Sequence, residues 1–343
     1  MSPAPPASLG ALRLAVDDPG LETRVADGLE AVEATLRRAV ASDYPFVTET
    51  SRHLVDAGGK RFRPLLVLLA AELGDPEAPG VVPAAVAIEL THLSTLYHDD
   101  VMDEAVLRRG APSANARWSN TIAILTGDFL FARASEITAD LGPEATRILA
   151  QTIAVLCQGQ IRETVGPAVG DDPVEHYLRV VSEKTGSLLA TSGRLGALLA
   201  GAGAETVAVL SRYGDAVGLA FQLSDDLLDV EGDPGESGKL PGTDLREGVR
   251  TLPVLLAVED AAQGDPVAAR IVELVEGGFD GERGEERVAE ALALLRRSDA
   301  LRRARGVVAS YAGRARDVLE GLPPSPARDA LHALTDYVVE RSG

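Results

Sequence analysis

The sequence predicts an all-α fold, and three observations carry that expectation. The hydrophobic fraction is 45% while aromatic residues make up only 4%, so the core has to come from small and aliphatic side chains, which suits close helix packing. Apolar residues recur at helical spacing in stretches of roughly 15 to 25 residues as far as Val339. No segment alternates apolar and polar residues for long enough to read as a strand, and no fixed-period repeat is present.

Taken in order, the first helix is expected from about Leu21 to Ala41. Gly58-Gly59 ends one helix and Pro64 can begin the next. A long apolar helix starts near Pro83 and ends on an acidic cluster at Asp103. Breakers at Gly74 to Pro83, Gly110 to Pro112, Gly142-Pro143, Gly166 to Pro173, Gly232 to Gly242 and Gly321 to Pro326 mark the main loops, giving roughly ten or more helices. No Pro, Ser and Gly linker separates two domains. The expectation is therefore a disordered tail over residues 1–18 followed by one helical domain over 19–343.

No uninterrupted apolar run reaches the ~20 residues of a membrane-spanning helix, so no stable membrane insertion is expected. Leu188 to Leu210 comes nearest but contains Arg194 and Glu205, and reads as a packed core helix. "MSPAPPASLGALRL" has no basic region ahead of an apolar one, which points to a cytoplasmic protein. Cys157 is the single cysteine, so no internal disulfide forms; in "AVLCQGQ" it reads as a small buried apolar residue. A net charge of −19 excludes nucleic acid as a partner and requires any anionic substrate to meet a local basic cluster.

The residues that point to chemistry begin with "YHDDVMDEAVLRRG". Asp99, Asp100 and Asp103 close the apolar helix, and their spacing crowds all three carboxylates onto one arc. Such crowding is unfavourable unless a cation or a strong donor sits against it. One acidic cluster on a helix is usually solvated surface, but "FQLSDDLLDVEGD" repeats the spacing at Asp225, Asp226 and Asp229. If the two helices face one another, their carboxylates suit a hard cation with oxygen ligands, Mg²⁺, whose remaining ligands would be substrate phosphate.

The basic residues agree with a diphosphate substrate. The chain holds only three lysines, Lys60, Lys184 and Lys239, each in a short motif beside Gly or Thr, while every other basic side chain is arginine. A compact ammonium suits phosphate. In "AGGKRFRPLL", Lys60, Arg61 and Arg63 flank a helix-to-helix turn. Arg108 and Arg109 follow the first aspartate cluster closely enough to reach a diphosphate held there.

These motifs resemble the trans-isoprenyl diphosphate synthases, the polyprenyl synthetase family. "GGKRFRP", "HDDVMDEAVLRRGAPS", "GDFLFARA", "KTG", "FQLSDDLLD", "GK" and "GTDLREGVRTLP" stand in the family's order from about Gly58 to Pro253. The resemblance implies a helical bundle of the isoprenoid synthase type with a central cavity between facing Asp-rich helices. By resemblance, Asp99, Asp100, Asp103, Asp225, Asp226 and Asp229 bind magnesium and an allylic diphosphate. Lys60, Arg63, His92 and Arg109 would hold isopentenyl diphosphate, and Arg108, Lys184, Thr185, Gln222 and Lys239 would contact the allylic diphosphate. Val249 stands where many relatives place a further Lys, with Arg250 following it. A homodimer is the family habit.

The implied reaction breaks the carbon–oxygen bond of the allylic substrate, forms a bond to isopentenyl diphosphate and loses a proton to give a trans double bond. The side chains one turn before Asp99, Ser94 and Thr95, are expected to set product length. Both are small, and Thr91, Ile88 and Ala87 beyond them are not aromatic, which predicts a long polyprenyl diphosphate of the kind used as a quinone side chain. Phe129 and Phe131 are the residues able to plug that path. A geranylgeranyl diphosphate synthase is the shorter-chain alternative. A class I terpene cyclase would share the fold, but thirteen aromatics and a second aspartate motif disfavour it. A supporting subunit of a hetero-oligomeric synthase would be expected to have lost metal ligands.

Overall fold

The structure is a computed structural model that describes residues 18–232, 241–279, 281 and 283–340. The proposed tail over residues 1–17 and the position of Lys239 lie outside the described residues. Asp18 belongs to the first helix rather than to a tail, because its carboxylate accepts from the Leu21 amide at 2.8 Å and caps the helix start.

Sixteen α-helices are described: α1 (Pro19–Ala39), α2 (Pro45–Asp56), α3 (Phe62–Ala71), α4 (Val81–Met102), α5 (Ala114–Arg117), α6 (Asn120–Asp140), α7 (Pro143–Val165), α8 (Pro173–Val181), α9 (Ser187–Leu199), α10 (Ala204–Glu231), α11 (Thr243–Arg246), α12 (Leu252–Ala262), α13 (Pro266–Glu276), α14 (Gly284–Leu295), α15 (Asp299–Leu319) and α16 (Pro326–Glu340). A π-helical turn over Ser182–Gly186 joins α8 to α9. No described helix is long and apolar enough to cross a membrane. The α3 start differs from expectation: Pro64 is the third helical residue, and Arg61 in left-handed geometry makes the turn instead.

One hairpin escaped the sequence reading. β1 (Leu107–Arg108) pairs antiparallel with β2 (Ala111–Pro112), Leu107 opposite Pro112 and Arg108 opposite Ala111. Each strand is two residues long, too short to alternate. Arg109 at φ 53° and Gly110 at φ 75° make the two-residue turn, the left-handed pair such a tight hairpin needs.

The chain divides into two compact units. The first holds residues up to 155 together with Ser187–Gly214 and Val318–Leu334. Its centre is α3 and α4: α3 is buried on every face except at Arg63, and α4 buries thirteen of its residues, packing on α1, α3, α6 and α9. The second unit holds Leu156–Gly186, Asp215–Asp317 and Thr335 onward. Its core joins Leu223, Leu227 and Val230 of α10 to Leu252 and Leu256 of α12, Ile271 of α13 and Leu292 and Leu295 of α14. Among the described residues the buried aromatics are Phe62, Tyr97 and Tyr213 alone, so aliphatic and alanine side chains do fill the interior.

Cys157 is exposed, not buried. On α7 the outward positions run Gln151, Ala154, Cys157 and Ile161, a three-to-four-residue spacing that places the thiol on the outer stripe of its helix.

Candidate active site

The first unit carries the first aspartate motif and most of the basic residues named for the site. Asp99 and Asp100 lie in the last turn of α4 and Asp103 caps it. A helix C-terminus already carries partial negative charge, so acidic side chains there are unfavourable by themselves and favour a bound cation. Asp100 is fully buried, and Arg108 donates its Nε to Asp100 Oδ1 at 2.6 Å. Burial outweighs that arginine and, with Asp103 adding repulsion, pushes the Asp100 carboxyl above its ordinary range. Among the described residues Asp100 Oδ2 is buried with no hydrogen-bond partner.

The basic set gathers around the Gly58-Gly59 corner. Arg109 donates to the carbonyls of Leu54, at 3.2 Å, and Gly58. Its guanidinium lies so close to Gly59 that a Cβ there would meet it at 3.0 Å. His92 is kept neutral, its imidazole held well below the usual range by burial and by Arg63, Arg109, Arg61 and Arg108. The structure therefore brings Arg63 and Arg109 each within electrostatic reach of His92, with Lys60 exposed on the same turn.

Sequence reasoning missed the support beneath this corner. Arg61 is buried, pairs with Glu33 and, at 2.8 Å, with Glu89, and donates to the Val55 carbonyl at 2.9 Å. Among the described residues the non-glycine positions at positive φ are Arg61, Glu104 and Arg109. Each costs on the order of 1 kcal/mol or more, and all three sit in the loops that carry these motifs. Only the run of charges around Arg61 hinted at its role; Glu33 and Glu89 give no local signal.

Small residues on α4 differ in placement. Ser94 is fully buried and donates its hydroxyl to the Gly127 carbonyl of α6 at 2.8 Å. Thr95, one turn before Asp99, is half-buried. Phe129 and Phe131 are also half-buried, and Phe131 lies 5.8 Å from the His98 ring. Thr91, Ile88 and Ala87 are fully buried.

The second unit carries the second motif near the end of α10 and the KTG segment in the π-turn. Asp226 is 5% exposed. Tyr177 of α8 donates its hydroxyl to Asp226 Oδ2, and Gln222 donates its amide to Oδ1 at 3.2 Å. Burial, opposed by these donors and reinforced by Asp225 and Asp229, pushes the Asp226 carboxyl up to about 7. Thr185 in turn donates its hydroxyl to Gln222 Oε1 at 3.2 Å, so one line of hydrogen bonds ties KTG to the aspartates. Asp229 accepts from the amides of Thr243 at 3.0 Å and Asp244 at 3.1 Å, fastening α11 and the GTDLREG stretch.

Lys184 pairs with Glu163, and Arg162 donates its Nε to Glu183 at 3.0 Å. The turn lies against α7 at Gly159, where a Cβ would meet Glu183 Cβ at 2.8 Å and Lys184 Cγ at 3.1 Å. Single π-turns of this kind mark functional positions often enough to matter here. Val249 and Arg250 are both exposed.

The fit to a divalent ion follows from these observations. Carboxylates crowd the ends of two helices, two of them are pushed toward neutrality by burial and like charge, and one buried oxygen has no donor among the described residues. Oxygen-only donors suit Mg²⁺ or Ca²⁺. Among the described residues no three carboxylate, imidazole or thiol groups form a ready-made cage.

Comparison with known proteins decides the family. The polyprenyl synthetase profile matches residues 44–293. The chain belongs to the polyprenyl synthetase family. It is a prenyltransferase, and dependence on divalent metal is the norm of its family. It is 50% identical over 317 residues to nonaprenyl diphosphate synthase of Mycobacterium tuberculosis, covering 92% of this chain and 93% of that one. It is 44% identical to a dimethylallyltranstransferase of the same organism, over 95% of this chain and 98% of that one. Among solved structures, geranylgeranyl pyrophosphate synthase from Corynebacterium glutamicum, complexed with calcium and isoprenyl diphosphate, superposes with a TM-score of 0.85 at 44% identity, over 96% of this synthetase and 99% of that chain.

Proposed function

We propose that this synthetase condenses isopentenyl diphosphate repeatedly onto an allylic diphosphate, with Mg²⁺, to give a long-chain polyprenyl diphosphate. The observation that carries the product length is the line running back from Asp99 along α4: Thr95, Thr91, Ile88 and Ala87 include no aromatic side chain. Two turns of helix without a bulky stop leave about 11 Å of path, and a relative named for a nonaprenyl product shares half its residues with this chain. The shorter-chain reading is favoured by the geranylgeranyl synthase superposition; product analysis separates the two.

In this reading the arginine and histidine set at Arg63, His92 and Arg109, with Lys60, binds the isopentenyl diphosphate. Its unreactive, partly desolvated cations orient the nucleophilic double bond without supplying a proton, and neutral His92 donates a hydrogen bond. Lys184 and Thr185, presented by the π-turn, receive the allylic diphosphate as its carbon–oxygen bond breaks, with Arg108, Gln222 and Lys239 as further contacts. Divalent ions held by Asp99, Asp103 and Asp225, with Asp100, Asp226 and Asp229, would neutralise the charge developing on the leaving diphosphate. The chain works in the cytoplasm as a homodimer.

The test incubates the protein with Mg²⁺, labelled isopentenyl diphosphate and each allylic primer, and reads product lengths after dephosphorylation. Polyprenols well beyond geranylgeraniol are expected, and Thr95→Phe is expected to shorten them by several prenyl units. Absence of incorporation with every primer would sink the proposal. A product that stops at geranylgeranyl in the unmodified protein would sink the long-chain part only.

A further inference from the structure

Tyr177 lies outside every motif the sequence offered, on α8, 49 residues before Asp226. Its ring packs against the core of the second unit beside Val174 and Leu178. Asp226 is nearly sealed from solvent, yet a carboxylate needs several donors when it is removed from water. The structure supplies two: Tyr177 to one oxygen and Gln222 to the other. Gln222 is one turn away on the same helix, so its amide can follow small movements of α10. Tyr177 reaches in from a different helix on a rigid ring.

We propose that Tyr177 is a positioning residue of the second aspartate motif, which sets the orientation of Asp226 and through it the affinity of the motif for divalent metal and diphosphate. The inference rests on the proposed metal role of that motif. Groups that hold a metal-binding side chain in place change metal affinity by about 10–100-fold when removed. A group that only fills space changes thermal stability and leaves affinity alone.

The experiment titrates Mg²⁺ in the presence of inorganic diphosphate and follows the rise in unfolding temperature of the intact protein, alongside steady-state condensation. Tyr177→Phe is expected to raise the Mg²⁺ midpoint about tenfold in both readouts while the metal-free unfolding temperature moves little. A midpoint within twofold of the unmodified protein overturns the proposal. Should Tyr177→Phe fail to fold because Asp226 is left a donor short, Tyr177→Phe/Asp226→Asn removes the buried charge as well. Its midpoint should match that of Asp226→Asn alone; a further tenfold loss would mean that Tyr177 acts by some other route. If the unmodified protein condenses substrates with Mg²⁺ and only the Tyr177 result fails, the proposed function stands and this inference falls. If the unmodified protein shows neither a metal-dependent shift nor condensation, both fall.

Discussion

The two aspartate motifs have the same spacing and opposite surroundings. In the first, the middle carboxylate Asp100 is buried beside a cation, Arg108, and leaves one oxygen without a partner among the described residues. In the second, Asp226 is buried between neutral donors, Tyr177 and Gln222, that take both oxygens. Burial pushes both carboxyls up, opposed by a guanidinium at Asp100 and by a phenol and an amide at Asp226, and the deeply buried Asp226 goes up to about 7. Spacing alone therefore does not set the electrostatics of an aspartate motif; the element packed behind its middle residue does.

The largest effects should fall on both motifs alike. Asp99→Ala and Asp225→Ala are each expected to lower prenyl transfer by roughly 10²–10³-fold, measured as labelled isopentenyl diphosphate incorporation, with circular dichroism unchanged. If either variant kept near-normal turnover, the two motifs would not share one function.

The pH dependence should separate them. The folded pKa of Asp226 lies above its ordinary value, so the folded state binds a proton that the unfolded state has released. Stability of the metal-free protein is then greatest below about pH 4 for this group and falls as pH rises to about 7. Asp226→Asn should remove this slope and stabilise the metal-free protein at pH 8 by a few kcal/mol. Asp100→Asn should change the curve in the same direction but less, because Arg108 already offsets part of the burial. Urea denaturation at pH 5 and pH 8 checks both; a larger effect at Asp100 would reverse the comparison.

Arg108→Ala leaves Asp100 buried without its cation and should cost about 2 kcal/mol in denaturant unfolding, partly relieved as the pH falls and the carboxyl protonates. The smallest change is expected at Gly159. Gly159→Ala forces the π-turn away from α7 and should cost about 1 kcal/mol, while raising the KM for the allylic diphosphate through displaced Lys184 and leaving that for isopentenyl diphosphate alone.

Much of the fold was legible beforehand because it rests on local patterns. The apolar periodicity and the Gly and Pro breakers found α1, α4 and, among the described residues, the main loops within a few residues; the expected Gly232 to Gly242 loop lies mostly outside the described residues. The β1–β2 hairpin was not legible, since two-residue strands carry no alternation. Cys157 was misplaced because a mixed stripe such as AVLCQGQ does not reveal which side of α7 meets the core.

For the site, the sequence by itself determined which residues carry charge and how they are spaced: two DDxxD triplets, three lysines in small-residue motifs, and the Arg108–Arg109 pair after the first triplet. Those are properties of neighbours within about two helical turns. Only the tertiary structure decided that Arg109 packs on Gly59, that Arg61 is buried between Glu33 and Glu89, and that Tyr177 rather than an arginine faces Asp226. Each of these joins residues 28 to 50 positions apart. Burial and partner choice, which fix the charge a carboxylate carries, belong to the packing of helices and not to the order of residues along any one of them.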